Sequence, residues 1–203
     1  MARPVNQTGK AIVLTDKQLM TILKQLSPHA SSSVRSRNKA LMVISFKLGL
    51  RAKEMAALKI ADVFDGSDIK SVLRLYAKYT KNNKHRDLPL TNKVVRDFLG
   101  KYIEFRQEQD GLSFNVQAPL FRSQKGSSFS PNAMSRVFKE IYAECGVDGA
   151  SSHSGRRTLL TNLANSGVSA FHLRDIAGHS SIQTTQGYVE SNINVIGDVL
   201  KSA

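Results

Sequence analysis

The chain has 203 residues, of which 41% are hydrophobic, and its 29 lysine and arginine residues outnumber 16 acidic ones to give a net charge of +13. This length and apolar content predict a globular domain with a buried core and exclude wholesale disorder. The single cysteine, Cys145, excludes an internal disulfide framework and a cysteine-rich zinc site. No continuous apolar stretch approaches the ~18 residues of a membrane span, and the N-terminus lacks the long apolar core of a signal peptide.

The positive charge is concentrated in the first half of the chain. Residues 1–100 hold 19 basic and 7 acidic side chains, whereas residues 101–203 hold 10 and 9. A net charge of this sign and size predicts a polyanionic partner, with nucleic acid as the first expectation and an acidic membrane surface as the second. With one cysteine and no membrane span, a reducing, cytoplasmic setting is expected.

The first predicted helix follows a short basic arm. Residues 1–13 show no regular pattern and are expected to be flexible. Thr15 has the properties of a helix N-cap, and Gln18 three positions later completes a capping box. The helix is expected to end at the Ser27-Pro28 pair, because proline cannot continue a helix. Its apolar face is expected to comprise Leu19, Ile22, Leu23 and Leu26.

A serine-rich basic stretch separates this helix from the next one. Arg35 and Arg37 lie at or beside the start of the second helix, in a stretch that fits a solvated loop as well as a phosphate-binding one. Residues 38–48 are almost entirely apolar, which predicts a buried helix. Gly49 is expected to end that helix, since glycine favours helix C-termini.

The stretch after Gly49 contains the first candidate functional arginine. Arg51 and Glu54 are one helical turn apart and therefore share a face. The core side of this stretch is expected to comprise Met55, Leu58 and Ile60. By itself the pattern is consistent with an ordinary surface ion pair between Arg51 and Glu54 or with a functional cation.

A short basic hairpin is predicted in the middle of the chain. Residues 69–76 suggest one strand, and Leu88 and Leu90 the returning one, around an Asn82-Asn83 turn. The basic residues of the hairpin are Lys81, Lys84 and Arg86. Such a tip can enter a groove of DNA or reach a phosphate. The alternative is a charged edge that prevents aggregation of the sheet.

Helices are predicted again beyond residue 90. Residues 91–109 and 131–146 carry apolar residues at helical spacing, and Ser130-Pro131 starts the second helix with proline in its first turn. The segment between them is expected to be irregular, with a short strand at Leu120-Phe121. The inner side of the first helix is expected to comprise Val94, Val95, Phe98, Leu99, Tyr102 and Phe105. Together these patterns predict a mainly α-helical fold with one small antiparallel β-sheet.

Residues 153–188 combine the residue types that phosphoryl transfer requires. Tyr188 is a candidate nucleophile for a phosphodiester, provided that fixed cations stabilise the developing charge. Arg156 opens an apolar helical pattern, and an arginine stays protonated and can hold two phosphate oxygens with its planar fork. His153 and His179 can donate a hydrogen bond or move a proton near neutral pH.

Three motifs, in this order, resemble the tyrosine recombinase (phage integrase) family. GLRAKEMAALKIADV (49–63) resembles the family's first-arginine motif, and HSGRRTLLTNLANSG (153–167) its His-x-x-Arg motif. LRDIAGHSSIQTTQGY (173–188) resembles its closing motif, in which the second histidine lies nine residues before the nucleophilic tyrosine. The resemblance covers about residues 12–190, which corresponds to the family's catalytic domain, and the short layout is similar to that of fimbrial phase-variation recombinases.

The resemblance implies a role for each matching residue. The implied catalytic residues are Arg51, Lys81, His153, Arg156, His179 and Tyr188. Tyr188 would attack the scissile phosphate while the two arginines hold its non-bridging oxygens. Lys81 would protonate the leaving 5′ oxygen, His153 would act as acid or base, and His179 would hydrogen-bond the phosphate. Glu54 would orient the first arginine. Expected DNA contacts are Arg35, Arg37, Lys53, Lys84, Arg86 and Arg157.

The resemblance also implies a reaction and partners. The expected activity is site-specific recombination of double-stranded DNA, without metal, ATP or cofactor, through a 3′-phosphotyrosine intermediate. Residues 14–190 would be the catalytic domain of a homotetramer on paired sites, with 191–203 as a subunit contact and DNA-bending proteins as accessories. Three other functions remain consistent with the sequence: a catalytically silent DNA-binding regulator, a type IB topoisomerase-like enzyme, and a structural nucleic-acid-binding protein.

Overall fold

The computed structural model of the chain describes residues 11–26, 32–77 and 85–188. Within these segments, strands β1 (Val72–Leu75) and β2 (Arg86–Pro89) form an antiparallel sheet, and a 3₁₀ turn covers Gly111–Ser113. The helices are α1 (Asp16–Gln25), α2 (Ser32–Leu48), α3 (Ala52–Ala57), α4 (Ile60–Val63), α5 (Lys93–Asp110), α6 (Pro131–Glu144), α7 (Ser154–Asn165), α8 (Ala170–Ala177) and α9 (Ile182–Gln186). The prediction of a mainly helical fold with a small antiparallel sheet is confirmed.

The predicted cap of α1 is present, but α2 begins earlier than expected. The Thr15 hydroxyl accepts a hydrogen bond from the Gln18 amide, and Gln18 Oε1 accepts one from the Thr15 amide. α2 begins at Ser32 rather than near residue 38. Arg37 anchors these additional turns, because its Nη1 donates to the carbonyl oxygen of Arg122 at 3.2 Å. The partner is distant in sequence, so the local pattern could not indicate this extension.

α2 packs against α5 and α7, and it approaches α7 at a glycine. Most α2 residues from 38 to 48 are buried in the core. A Cβ on Gly155 would lie 2.3 Å from Ser45 Oγ and 2.8 Å from Phe46 Cδ2, so a larger residue would push the two helices apart. This close approach fixes the first turn of α7 beside the C-terminal end of α2.

The two strands of the predicted hairpin pair with each other. Leu75 lies opposite Arg86, and Leu73 lies opposite Leu88. Leu73, Leu75 and Leu88 are buried, so one face of the sheet belongs to the core. The predicted tip lies outside the described residues, with Lys81, the Asn82-Asn83 turn and Lys84.

Two predictions in and after α5 are wrong. Within the described residues, Leu120 and Phe121 belong to no strand, although both are buried. The Leu120 carbonyl oxygen instead accepts hydrogen bonds from the Tyr102 hydroxyl at 2.9 Å and from Arg106 Nη1 at 3.1 Å. Side chains of α5 thus bind the Leu120 carbonyl, while the Leu120 amide donates to the Leu58 carbonyl at 2.8 Å. Backbone pairing is limited to isolated bridges at Pro119 and Arg122, so no strand forms. Val94, expected inside, is 43% exposed in the first turn of α5.

Helices α7 and α8 form a small apolar cluster of their own. Leu160 of α7 and Leu173 and Ala177 of α8 are its buried members, and Tyr188 packs against them. α8 ends at Gly178, whose φ of 59° is left-handed and favours glycine. The predicted subunit-contact segment, 191–203, lies outside the described residues. In the part of the chain that the structure describes, no helix has the length and apolarity to cross a membrane.

Candidate active site

Arg51 lies at the N-terminus of α3, directly after the turn that ends α2. Gly49 has a φ of 63° in this turn, a conformation that costs glycine little. The Arg51 backbone amide and its Nη1 each donate to the Glu54 carboxylate at 2.8 Å. Arg51 Nη2 lies 3.4 Å from the carbonyl oxygen of Gly178. This side chain therefore connects the start of α3 with the end of α8.

The Glu54 side chain is fully buried and binds two arginines. In addition to Arg51, Arg86 of β2 donates from Nη1 to Oε1 at 3.2 Å and from Nη2 to Oε2 at 3.0 Å. A buried carboxylate requires such partners, because removing it from water is costly unless it is paired and hydrogen-bonded. The predicted pair of Arg51 and Glu54 is present, and a residue from the hairpin shares its carboxylate.

Arg156 lies in the first turn of α7 and is buried in the same region. Its Nη1 donates to the carbonyl oxygen of Gly49 at 2.7 Å, and its Nη2 donates to that of Ala177 at 2.5 Å. Burial first, and then the charges of Arg51 and Arg86, lower the pKa of Arg156 to about 10. The guanidinium is therefore still charged at neutral pH, and two backbone carbonyls fix its orientation.

His179 follows α8 and is hydrogen-bonded through both ring nitrogens. Its Nε2 lies 3.0 Å from Arg156 Nη2, and its Nδ1 lies 3.0 Å from Thr185 Oγ1. Because a guanidinium only donates, Nε2 accepts, and the ring proton is assigned to Nδ1. Burial first, and then the charge of Arg156 and those of two further arginines, lower the pKa of His179 to about 4. The ring is therefore neutral at pH 7.

Tyr188 stacks on His179 directly after α9. The two ring centroids are 5.8 Å apart, and the ring planes are inclined by 20°. The tyrosine is partly buried and borders a cavity of about 340 Å³ that is also lined by His153, Arg156 and Arg157. The stacking contact and the shared cavity place this phenol beside a buried guanidinium.

His153 lies between this cavity and a second one. It directly precedes α7, it is exposed, and it lines the second cavity together with Arg51 and Lys53. Partial desolvation of the ring first, and then the charges of Arg156 and Arg51, lower the pKa of His153. An imidazole with a lowered pKa is largely neutral near pH 7 and can accept a proton.

The structure brings five of the six predicted catalytic residues into one region. These are Arg51, His153, Arg156, His179 and Tyr188. The sixth, Lys81, lies outside the described residues. Residues more than a hundred positions apart meet here because α7 and α8 pack against the turn between α2 and α3.

Two of the six predicted DNA contacts are buried, although the basic stretches that contain them suggested exposed side chains. Arg37 is 7% exposed, donates from Nε and Nη2 to Asn38 Oδ1, and lies over the ring of Phe129. Arg86 is 8% exposed and is held by Glu54. Acceptors inside the protein bind both guanidinium groups.

The other four predicted DNA contacts stay predictions. Lys53 and Arg157 each line one of the two cavities, and Lys53 is exposed. Arg157 Nη1 also donates to the carbonyl oxygen of Ala11 at 2.6 Å, which ties the segment before α1 to α7. Arg35 lies in the early part of α2, and Lys84 lies outside the described residues.

Sequence reasoning assigned Arg86 to the hairpin tip and overlooked Thr185. In β2 the buried positions alternate, and Arg86 shares the inner face with Leu88. A period of two counted back from Leu88 would have indicated that Arg86 points inward. Thr185 is fully buried beside His179, but no local signal in the sequence distinguishes it from Thr184.

The arrangement suits an anionic ligand with several oxygens. Two guanidinium groups bind the Glu54 carboxylate, and that of Arg156 shares the Ala177 carbonyl with Arg86, so the charges of +3 and −1 leave the group at +2. Each terminal nitrogen of Arg51 and Arg156 carries two N–H groups. Ala177 and His179 accept both of those on Arg156 Nη2, whereas the other three terminal nitrogens each keep one N–H for a ligand. Over the described ranges, no three His, Cys, Asp or Glu side chains are grouped so that they could hold a metal ion.

Comparison with known proteins gives consistent matches along the chain. The model of the phage integrase family matches residues 13–194. The chain is 29% identical over 195 residues to a tyrosine recombinase of Agathobacter rectalis, covering 93% of this chain and 60% of that protein. It is 29% identical over 168 residues to tyrosine recombinase XerC of Rhodospirillum centenum, covering 82% of this chain and 46% of that protein. The chain thus spans about half the length of these relatives.

Solved structures share the fold. The XerA recombinase superposes with a TM-score of 0.71 at 21% identity, covering 98% of this chain and 66% of that one. A lambda integrase dimer bound to a COC′ core site superposes with a TM-score of 0.64 at 15% identity, covering 93% of this chain and 50% of that one.

Proposed function

Since the chain belongs to the phage integrase family, we propose that it is a site-specific recombinase that cuts and rejoins double-stranded DNA through a covalent link to Tyr188. One observation carries the proposal: Tyr188 stacks on His179 at a cavity that Arg156 also lines. A hydroxyl nucleophile beside fixed cations has what it needs to attack a phosphodiester.

In the proposed cleavage, the Tyr188 hydroxyl gives up its proton and its oxygen attacks the scissile phosphorus. The bond between phosphorus and the 5′ oxygen breaks, and its electron pair stays on that oxygen, which takes up a proton. The products are a 3′-phosphotyrosine link and a free 5′-hydroxyl. Because the phosphotyrosine retains the ester bond, attack by a 5′-hydroxyl can rejoin the strands without ATP.

Arg51 and Arg156 hold the two non-bridging oxygens of the attacked phosphate. Charge grows on these oxygens in the transition state, so fixed donors stabilise it more than they stabilise the substrate. The Glu54 carboxylate and the carbonyl oxygens of Gly49 and Ala177 already orient the two guanidinium groups. Little reorganisation is therefore needed when the charge develops.

Proton transfer is assigned to residues other than His179. Lys81, outside the described residues, is proposed to protonate the leaving 5′ oxygen, and His153 to act as acid or base. With its pKa lowered to about 4, His179 is neutral at pH 7, and its one ring proton lies on Nδ1 beside Thr185. Its proposed role is to hydrogen-bond the phosphate and to pack against Tyr188.

Double-stranded DNA is the proposed substrate and partner. The net charge of +13 supports a polyanionic ligand, and the similar lambda integrase structure holds a dimer on a DNA core site. We assign residues 14–190 to the catalytic domain of a homotetramer on paired DNA sites, working in the cytoplasm with DNA-bending accessory proteins. Residues 191–203 are the proposed subunit contact.

The test is a covalent trap. Wild-type protein and the Tyr188→Phe variant are each incubated with a library of nicked duplex fragments of the genome that encodes the chain. Covalent adducts are then isolated under denaturing conditions. We expect an adduct with the wild type and none with the variant. Sequencing the trapped DNA and mapping the modified residue would identify the cleavage site and the nucleophile. An adduct that persists in Tyr188→Phe would refute the assignment.

The same experiment separates the alternatives. A catalytically silent regulator would bind the library and give no adduct with either protein. A type IB topoisomerase-like enzyme would relax a supercoiled plasmid that lacks every trapped sequence. A structural nucleic-acid-binding protein would enrich no sequence at all.

A further inference from the structure

We propose that Arg86 is a positioning residue of the active site, which holds Arg51 through Glu54 and holds the C-terminal end of α8 through the carbonyl of Ala177. It reaches the site from β2 and lies outside the set of residues predicted to be catalytic. Its effect on DNA cleavage rests on the function proposed above, whereas its effect on the geometry of the site does not.

The contacts of Arg86 connect three segments of the chain. Its Nη1 donates to the Ala177 carbonyl oxygen at 2.8 Å and to Glu54 Oε1 at 3.2 Å, and its Nη2 donates to Glu54 Oε2 at 3.0 Å. The side chain is only 6% exposed. A planar fork can make these contacts at the same time, whereas a lysine ammonium is a single point of charge. Arg86 therefore ties the hairpin to both α3 and α8.

Each acceptor of Arg86 is also an acceptor for an arginine of the proposed mechanism. Glu54 accepts from Arg51 at 2.8 Å, and the Ala177 carbonyl accepts from Arg156 Nη2 at 2.5 Å. Loss of Arg86 would leave these two acceptors to Arg51 and Arg156 alone. Arg51 and Arg156, the two residues proposed to bind the phosphate, would then lose the shared contacts that fix their positions relative to each other.

Gly178 shows how closely Arg86 is fitted to the end of α8. Gly178 has a φ of 59°, and a Cβ at this position would lie 2.5 Å from Arg86 Nη1. A side chain at position 178 would thus be strained and would also displace the guanidinium. His179 is the next residue, so the contact between Arg86 and this turn also fixes the position of the His179 backbone.

Arg86 also contributes charge to the site. Burial is the largest cause that lowers the pKa of His179, followed by the charges of Arg156, Arg51 and Arg86. The causes that lower the pKa of His153 are desolvation, Arg156 and Arg51, without Arg86. Removing the charge of residue 86 should therefore raise the pKa of His179 and leave that of His153 in place.

Three variants separate geometry, charge and general damage to the hairpin. Arg86→Gln removes the charge and the fork, and Arg86→Lys keeps the charge without the fork. The matched control is Arg74→Gln, which removes an arginine of the opposite strand whose partner, Asp87, lies at the surface. For each protein we would measure thermal unfolding, DNA affinity and the single-turnover rate of covalent adduct formation per folded molecule.

We expect Arg86→Lys and Arg86→Gln to lower the adduct rate by roughly 10- to 100-fold, the scale of a catalytic group misplaced by about 1 Å. DNA affinity should change by no more than a few-fold, since residue 86 is buried. Arg74→Gln should leave the rate unchanged. Wild-type rates per folded molecule in both Arg86 variants would overturn the proposal.

The histidine titration keeps the test independent of recombination. In NMR titrations without DNA, we expect Arg86→Gln to raise the pKa of His179 but not that of His153, and Arg86→Lys to raise neither. If the wild type forms no adduct, the proposed function fails while the titration still tests Arg86. An unchanged pKa of His179 in a folded Arg86→Gln variant would refute the positioning of this charge, whatever the DNA assay shows.

Discussion

Two clusters of arginines in this fold have similar composition and different surroundings. The site cluster is defined as Glu54 with Arg51, Arg86 and Arg156. The core cluster is defined as Asp110 with Arg37, Arg106 and Arg122. Each borders a cavity that a tyrosine also lines, Tyr188 for the site cluster and Tyr102 for the core cluster. Arginines, a carboxylate and a phenol are thus not sufficient to define an active site.

The two tyrosines differ in access and in partners. Tyr102 is 2% exposed, its hydroxyl donates to the carbonyl oxygen of Leu120, and its ring stacks on Phe121 at 5.7 Å. Burial raises the pKa of Tyr102, so its phenolate is disfavoured. Tyr188 is only partly buried and stacks on the imidazole of His179. The accessible phenol beside an imidazole is the one suited to attack a phosphate.

The arginines differ in what their donors can still reach. Arg106 is 3% exposed, and it donates to Asp110 and to the carbonyl oxygens of Pro119 and Leu120. No histidine is among the described residues that line the cavity of the core cluster. Arg51, by contrast, lines a cavity together with His153. What distinguishes the site cluster is the combination of fixed cations with imidazoles and an accessible phenol.

The largest expected effect comes from replacing each of the two tyrosines with phenylalanine. Tyr188→Phe should lower covalent adduct formation by about 10⁴-fold or more, the scale of a lost nucleophile. Tyr102→Phe should leave adduct formation unchanged and cost about 1 kcal/mol in the free energy of unfolding, the usual contribution of one buried hydrogen bond. Adduct trapping and urea unfolding measure the two quantities. Equal loss of adduct in both variants would remove the distinction between the two clusters.

The next largest effect comes from shortening one arginine of each cluster to lysine. Arg156→Lys should lower the single-turnover cleavage rate by about 10²- to 10³-fold, as removal of a donor to the developing charge does, with DNA affinity within a few-fold. Arg106→Lys should destabilise the fold, because lysine cannot reproduce its several fixed contacts, yet retain the rate per folded molecule. Cleavage by Arg156→Lys at close to the wild-type rate would contradict the phosphate clamp.

A smaller effect is expected in the pH dependence of stability, because His179 is held neutral in the folded state. Its pKa is about 4 when folded, against about 6.5 when unfolded. Between these two pH values the unfolded chain therefore binds more protons than the folded one. The contribution of His179 to the free energy of unfolding is fully present above pH ~6.5 and is lost as pH falls toward 4. After allowance for the partial exposure of the ring, wild type should lose about 2 kcal/mol more than His179→Gln from pH 7 to 4.5.

Denaturant unfolding at a series of pH values measures the difference in stability between wild type and His179→Gln. The contribution of His153 cancels because both proteins contain this residue. Parallel curves for wild type and His179→Gln would show that the pKa of His179 is not lowered in the folded protein.

The two clusters also show how far the sequence could predict this fold. The capping box at Thr15 was predictable because it is a local pattern of side chain and backbone. Arg51, Arg156 and Tyr188 were predictable because they stand in motifs with fixed spacing, and the structure brings them together. These predictions use neighbours within a few positions or a resemblance, and neither requires knowledge of packing.

The destination of the other arginines could not be predicted in this way. Arg37 donates to a carbonyl 85 positions away, and Arg86 to one 91 positions away. A flexible basic side chain is exposed by default, and only tertiary structure supplies the acceptors that bury it. The start of α2 at Ser32 was missed for the same reason, since the contact from Arg37 to Arg122 stabilises its first turns.

The smallest expected effect concerns DNA binding at a distance from the chemistry. Lys53 is exposed on α3, beside the cavity that Arg51 and His153 line, whereas Arg37 is buried in the core cluster. If Lys53 contacts a phosphate, Lys53→Ala should reduce the slope of log K against log salt by about 1, because one fewer counterion is released on binding. Arg37→Gln should leave the slope unchanged in the folded fraction, since a guanidinium held by Asn38 and the Arg122 carbonyl releases no counterion. Titrations of labelled duplex across a salt series measure both slopes, and a reduction in Arg37→Gln alone would reverse the assignment of surface and core.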